Sequence, residues 1–344
     1  MTLKVLSVAS EMVPLVKTGG LADVVGALPG ALAGHGVDMT TLLPGYPAVL
    51  AAIGKTRKVA GIDHLLGEPA RIVSAKLADG RKLLVLDAPG FFAREGGPYG
   101  DPGGADWQDN WRRFAALGLA AAELARGKPG FDLVHAHDWQ AAMACVYLRY
   151  GGAPVPSVLT IHNMAFQGFF GGEIFARLAL PDSAWSLDGV EFHGGVSMLK
   201  GGMASADAIT TVSPTYAREI HTARFGMGLD GVVRARSQLV EGILNGIDHR
   251  EWNPAIDPHL AATFDAKTLA KRKANKRALE AAFGLEQGDG PLFVVISRLT
   301  WQKGVDVLLE VIDHLVGLGG RLALLGAGDV AMEQELRSEE RRVG

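Results

Sequence analysis

Lys17-Thr18-Gly19-Gly20-Leu21 decides how this chain is read. Just before it, Lys4–Ser10 (KVLSVAS) reads as a strand buried on both faces. Just after it, Leu21–Ala33 repeats apolar residues at helical spacing. A strand, a glycine turn and a helix N-terminus make an anion cradle. The two glycines let the backbone approach a ligand, and the free N–H groups of the helix point outward at its positive end. Lys17 adds a mobile full charge. The dipole is worth about 0.3–1 kcal/mol at a surface, so the lysine attracts a diphosphate more strongly than the helix end does. The motif is neither G-x-G-x-x-G nor a Walker loop, and a glycine turn with a solvated lysine is the competing reading.

Outward from this turn the chain alternates. Val37–Leu43 reads as the next strand, stopped by Pro44-Gly45-Tyr46-Pro47. Three weaker strands follow at Arg57–Ile62, Ala70–Leu77 and Lys82–Asp87, two of them flanking the hairpin signal Asp79-Gly80. Gly96–Gly104 reads as a loop and Trp107–Arg126 as a helix. Then come strand Phe131–Ala136, helix Trp139–Arg149, strand Val155–Ile161, helix Val196–Ser205 and strand Ala208–Val212. Ser213-Pro214 is a good cap pair for a helix at Thr215–His221. Strand Val240–Leu244 ends at Asn245-Gly246. This alternation predicts a parallel sheet covered by helices. After the polar stretch around Pro254 and Pro258 come a charged helix at Ala266–Phe283, strand Leu292–Ser297, helix Gly304–Gly317, strand Arg321–Leu325 and the turn Gly326-Ala327-Gly328-Asp329. The expectation is α/β, with two facing doubly wound Rossmann-like domains and the second incomplete, since an open parallel sheet usually has more strands. The last residues, Arg337–Gly344 (RSEERRVG), resemble the conceptual translation of a sequencing adapter, so native sequence is expected to stop near Leu336; a charged helix end is the alternative.

Bulk properties narrow the class. The length of 344 residues suggests about two domains. A net charge of −3 offers no basic footprint for nucleic acid or an anionic membrane surface. The longest stretch free of Asp, Glu, Lys and Arg, Tyr150–Gly172, holds Pro154, Pro156 and several glycines, which argues against a membrane span. Cys145 is the single cysteine, so no internal disulfide forms, and Glu11 interrupts the N-terminal apolar run of a signal peptide. The expected location is cytoplasmic.

Ligands of an open parallel sheet sit beyond the carboxyl ends of its strands. Glu11 and Lys17, His137-Asp138-Trp139, His162-Asn163, Asn245, and Arg298 with Lys303 all fall at such ends. Two cations before a helix suit a diphosphate whose charge grows as it leaves. Preorganised donors of that kind are worth roughly 3–4 kcal/mol each in a transition state; a solvated basic turn is the alternative. His135-x-His137 puts two imidazoles on one strand face, but the remaining ligands of a closed metal site are not evident, so a core histidine and a capping aspartate are favoured. Tyr99, Trp107 and Trp139 could stack on a sugar, though aromatics more often pack.

These blocks carry a family resemblance. KVLSVASEMVPLVKTGGLADVVGALP from Lys4, HAHDW (His135–Trp139), TIHNMAFQG from Thr160, GGVSMLKGGMASADAITTVSPTYAREI from Gly194, ILNGID from Ile243 and SRLTWQKGVDVLLE from Ser297 look like the signatures of bacterial glycogen synthases and plant starch synthases, in the family's order. The resemblance implies a retaining glucosyltransferase of the GT-B type with ADP-glucose as donor, the non-reducing end of an α-1,4-glucan as acceptor, and no metal or other cofactor. It implies that His162 and Asp138 line the glucose site, with the histidine stabilising the oxocarbenium through its carbonyl or ring. Arg298 and Lys303 would neutralise the departing ADP. Lys17, in its loop with Gly19 and Gly20, would contact phosphates or glucose, and Glu11 would join this donor site. Asn163 and Asn245 would bind hydroxyls, and Tyr99 and Trp139 would seat sugar. The expected division is 1–245 as the acceptor-side catalytic domain, 246–258 as linker, 259–336 as a partial nucleotide-sugar-binding domain and 337–344 as a non-native tail. The family's E-P-C-G-L segment is absent here, so the expected activity of this chain is small. The competing readings are a non-catalytic glucan- or nucleotide-binding fragment, a UDP-sugar transferase of the same fold, and a metal hydrolase built on His135, His137 and Asp138.

Overall fold

The computed structural model describes residues 2–127, 130–152 and 154–343, with side chains through 338. The chain divides into two compact units, Met1–Gly246 and Ile247–Gly344. In the first, the elements in order are β1 (Leu3–Val8), α1 (Gly20–Ala33), β2 (Val37–Pro44), α2 (Pro47–Ala52), β3 (Arg57–Leu65), β4 (Glu68–Lys76), β5 (Lys82–Asp87), α3 (Pro89–Phe92), α4 (Asn110–Arg126), β6 (Leu133–His137), α5 (Asp138–Tyr150) and β7 (Ser157–Ile161). They continue with β8 (Phe169–Gly171), β9 (Glu191–Phe192), β10 (Gly195–Ser197), α6 (Met198–Ser205), β11 (Ala208–Thr211), α7 (Pro214–Glu219), α8 (Asp230–Ala235) and β12 (Val240–Gly242).

Nine strands form one sheet in the order β12-β11-β7-β6-β1-β2-β5-β4-β3. From β12 to β5 every pairing is parallel, whereas β5, β4 and β3 pair antiparallel. The sheet is therefore mixed rather than parallel throughout. The turn around Gly80 (φ 92°) is too short for the crossover that parallel pairing needs, so it makes a hairpin. The central strand β1 is apolar because it is covered on both faces, with Leu6, Ser7 and Val8 fully buried.

Helix α5 is buried along most of its length, from Asp138 to Leu148, which explains a sequence rich in alanine on every side. It packs on α4 at Gly118, where an added Cβ would lie 2.7 Å from the Ala144 nitrogen. The segment expected as a helix from Val196 begins as β10, which pairs with β8 and β9. Ser197 then caps α6 by accepting the Lys200 N–H at 3.3 Å. A serine with extended backbone before the helix is the better start signal.

The second unit contains α9 (Arg272–Ala282), β13 (Leu292–Ile296), α10 (Val305–Gly317), β14 (Arg321–Leu325) and α11 (Val330–Val343). The charged helix starts at Arg272 rather than Ala266, because Asp265 accepts the N–H groups of Lys267 and Thr268 in a turn. Strands β13 and β14 pair parallel. The buried Glu280 of α9 ties them in, bonded to Arg277 at 2.7 Å and Arg321 at 2.5 Å. The Gly326–Asp329 turn lies against the end of β13: a Cβ on Gly326 would sit 2.1 Å from the Ser297 oxygen, and one on Gly328 2.2 Å from the Leu299 oxygen. Helical backbone runs unbroken from 337 to 343; Gly344 and the side chains from 339 lie outside the described residues. Among the described residues no helix is long and apolar enough to cross a membrane.

Candidate active site

The carboxyl ends of β1, β6 and β7 are neighbours in the sheet, and the polar residues expected to matter follow them. At the end of β1, Glu11 is 3% exposed. Its carboxylate accepts the backbone N–H groups of Thr18 and Gly19 (3.3 Å for Gly19), the Thr18 hydroxyl at 2.6 Å and the Tyr99 hydroxyl. Tyr99 in turn meets Ser10 Oγ at 2.8 Å. Glu11 is thus a brace inside the loop, not a group displayed to a ligand. It also changes the cradle. Two loop N–H groups are already taken by an internal anion, so the ligand-facing part is Gly20, the first turn of α1 and Lys17. Gly20 has open space where a side chain would stand. Lys17 is half-exposed and ion-paired to Asp23 of α1 at 2.7 Å.

At the end of β6, Asp138 has a left-handed backbone (φ 56°), a conformation uncommon outside glycine, asparagine and aspartate. It turns the chain from β6 into α5 and aims its carboxylate across to β7. Oδ1 accepts the backbone N–H of His162 at 2.6 Å and of Asn163 at 3.3 Å. Burial pushes its carboxyl up to about 7, against the downward pull of those two donors.

Three imidazoles lie beside it. His135 and His137 stack at 4.2 Å between ring centroids, and His137 and His162 are 5.4 Å apart. His137 Nδ1 meets His162 Nε2 at 3.1 Å, and its Nε2 meets Ser7 Oγ of β1 at 3.3 Å. His135 Nε2 meets Thr160 Oγ1 at 2.6 Å, which meets Thr210 Oγ1 at 2.6 Å. Burial lowers His135 and His162 to about 4 and His137 further, so the array is uncharged at neutral pH. Among the described residues no cluster of three or more His, Cys, Asp or Glu is arranged to hold a metal.

The two aromatics expected to seat sugar do other work. Trp139 is 9% exposed, with its ring edge-on to Phe114 at 5.0 Å and tilted against Phe170 at 6.0 Å. Tyr99 packs on Phe114 at 6.0 Å with its hydroxyl committed to Glu11 and Ser10. Both shape the wall behind the site. Gly168 covers the Trp139 face at φ 57°, and an added Cβ would lie 2.3 Å from that ring. Gly168→Ala is expected to cost about 2 kcal/mol through strain and overpacking. Thermal unfolding measures this, and an unchanged midpoint would contradict the close approach.

Asn163 folds over its own turn, with Oδ1 accepting the Ala165 N–H at 3.0 Å. Asn245 is exposed just beyond β12, which ends at Gly242 rather than Leu244 because only Val240–Gly242 pair with β11. In the second unit, Arg298 and Lys303 are exposed on either side of the turn before α10, and Gly304 (φ 69°) begins that helix. Sequence reasoning passed over Ser7, Thr160, Thr210 and Tyr216, whose hydroxyl accepts the Met164 N–H at 2.9 Å. The available signal was a polar side chain at mid-strand in an otherwise apolar run.

The starch synthase catalytic domain family matches residues 4–235. A glycogen synthase of Novosphingobium aromaticivorans is 65% identical over 99% of this chain and 72% of its own length. Glycogen synthase 1 of Rhizobium meliloti is 55% identical over 99% of this chain and 72% of its own. The catalytic domain of starch synthase IV from Arabidopsis thaliana, solved bound to ADP and acarbose, matches with a TM-score of 0.85 at 32% identity, over 99% of this chain and 72% of that one.

Proposed function

The chain belongs to the starch synthase catalytic domain family, to which its glycogen synthase relatives are similar throughout, and has the GT-B glycosyltransferase fold; from that premise we propose that it transfers glucose from ADP-glucose to the non-reducing end of an α-1,4-glucan with retention. The observation that carries this reading is the match over residues 4–235, which spans the buried Asp138, His162 and the Lys17 loop at one sheet edge. In it, Asp138 and His162 line the glucose, Asn163 and Asn245 bind its hydroxyls, and Lys17 with Gly19 and Gly20 meets the phosphates. Asp138 holds the His162-Asn163 turn in place before substrate arrives, so positioning costs little at the moment of reaction. Arg298 and Lys303 receive the growing charge of the leaving ADP, a task that needs no metal or other cofactor. The ADP in the Arabidopsis structure supports an adenine nucleotide donor. The buried free thiol of Cys145 fits the reducing cytoplasm.

The test is transfer of radiolabelled glucose to glycogen, with ADP-glucose and UDP-glucose run in parallel. The 344-residue chain is compared with one extended by a relative's C-terminal segment, since the chain spans 72% of the first relative's length. Transfer from ADP-glucose by the extended chain, with much less from the shorter one, is expected. The second unit's apolar Ile296 and Leu325 are 75% and 61% exposed, which leaves its nucleotide half weakly ordered for catalysis. Faster transfer from UDP-glucose would overturn the donor, and binding without transfer by both chains would favour a non-catalytic binding protein.

A further inference from the structure

We propose that Ser7 and His137 are positioning residues that lock His162 in the Nδ1–H tautomer, so that it offers its substrate a neutral hydrogen-bond donor. The inference rests on the reading that His162 lines the sugar site, but its core is a hydrogen-bond polarity that the geometry dictates on its own.

The chain of contacts runs Ser7 Oγ, His137 Nε2, His137 Nδ1, His162 Nε2, at 3.3 Å and 3.1 Å. Ser7 is fully buried on the central strand, and His137 is fully buried at the end of β6. Among the described residues the Ser7 hydroxyl has no hydrogen-bond partner other than His137 Nε2. A buried hydroxyl that fails to donate forfeits its hydrogen bond without recovering one from water. Its proton is therefore directed at His137 Nε2, which must be the bare, accepting nitrogen. A neutral imidazole carries one N–H, so the His137 proton sits on Nδ1 and is donated to His162 Nε2. That nitrogen is then an acceptor, and the single proton of neutral His162 must lie on Nδ1. Nδ1 has no hydrogen bond to the described residues. One serine hydroxyl on β1 thereby sets, through two rings, which nitrogen of His162 can donate.

The surroundings keep the array neutral. His135 stacks on His137, Asp138 lies beside the His162 backbone, and Glu11 is the other nearby carboxylate. Burial holds the His162 imidazole at about 4, so at neutral pH the ring is neither a cation nor a protonated acid. An Nδ1–H donor recognises an oxygen lone pair, such as that of a sugar hydroxyl, and cannot accept a proton at that nitrogen. This excludes the ring as general base there and assigns it to fixing substrate orientation.

The experiment is nitrogen NMR of the full chain with histidine labelled at both ring nitrogens, at pH 7, with His162→Gln to identify the resonances. In the unaltered protein His162 is expected to show a protonated Nδ1 and a bare Nε2. Ser7→Ala frees His137 to carry its proton on Nε2; its bare Nδ1 then requires a proton on His162 Nε2, and the two signatures of His162 exchange. His137→Phe removes the donor, and His162 moves toward the Nε2–H form that imidazole prefers in water. A protonated Nε2 on His162 in the unaltered chain overturns the proposal even if neither variant folds. So does an unchanged Nδ1–H signature in folded Ser7→Ala. Because the readout needs no turnover, a chain that shows the exchange yet transfers no glucose would overturn the transferase reading and leave this one standing.

Discussion

Asp138→Asn is expected to lower glucosyl transfer by about 10²–10³-fold while the fold survives, the range seen when a preorganised polar group is removed from an active site. Asparagine tolerates the left-handed backbone (φ 56°) that the strand-to-helix turn requires. Its side-chain oxygen can still accept the N–H groups of His162 and Asn163, which Asp138 Oδ1 holds at 2.6 and 3.3 Å. What it loses is the negative charge and the second carboxylate oxygen facing the site. Transfer kinetics with a matched thermal unfolding curve separate the two effects. A drop below tenfold with an unchanged midpoint would remove Asp138 from the chemistry. The unaltered enzyme should also gain activity as pH rises through about 7, where the carboxyl ionises. The stability sign is opposite. A carboxyl whose folded pKa is raised adds stability that is complete below its unfolded value and is lost as pH climbs through about 7. Activity therefore grows over the same interval in which this group's contribution to stability fades. An activity profile flat from pH 6 to 8 would contradict the assignment.

Glu11→Ala is expected to destabilise the first unit by about 3–4 kcal/mol and to weaken nucleotide-sugar binding with it. The variant strands the N–H groups of Thr18 and Gly19 and the hydroxyls of Thr18 and Tyr99, all now held by one buried carboxylate. Hydrogen bonds to a charged group contribute about 1.5–3 kcal/mol each, and partial access to water offsets some of the loss. Tyr99→Phe removes only one of these donors and should cost about 1–2 kcal/mol. Denaturant unfolding of the two variants orders them. Equal losses would mean that Glu11 does not organise the loop, and would return it to the role of a ligand-facing carboxylate.

The difference between Glu11 as ligand and Glu11 as brace marks where sequence reasoning reached its limit. Both roles require an acidic residue after β1, and both place it near Lys17. Only the distance from its oxygens to Thr18 and Gly19 separates them, and that distance depends on how the loop closes between Glu11 and Gly19. Trp139 is a similar case. Its position after HAHD is legible, but whether its face meets a sugar or Phe114 and Gly168 depends on α4 and the loop after β7, which come from distant parts of the chain. The antiparallel edge was half-legible: Asp79-Gly80 announces a hairpin, yet which sheet the hairpin joins is fixed only by the pairing of β5 with β2. Conversely, the polar residues after β1, β6 and β7 fall at one edge because parallel strands all present the same end.

The sequence by itself determined the alternation of strands and helices, the glycine turn with its lysine, the family blocks from Lys4 to Glu310 and hence the fold class. These are local patterns, and periodicity, turn chemistry and motif spacing need no knowledge of partners. The tertiary structure alone decided which groups face a ligand and which hold the site together. The Ser7–His137–His162 chain joins the ends of three strands that lie far apart in sequence but adjacent in the sheet. A hydrogen bond exists only within about 3.5 Å and a narrow range of angles. Strand order and register set those distances, and no local pattern in any one strand specifies them.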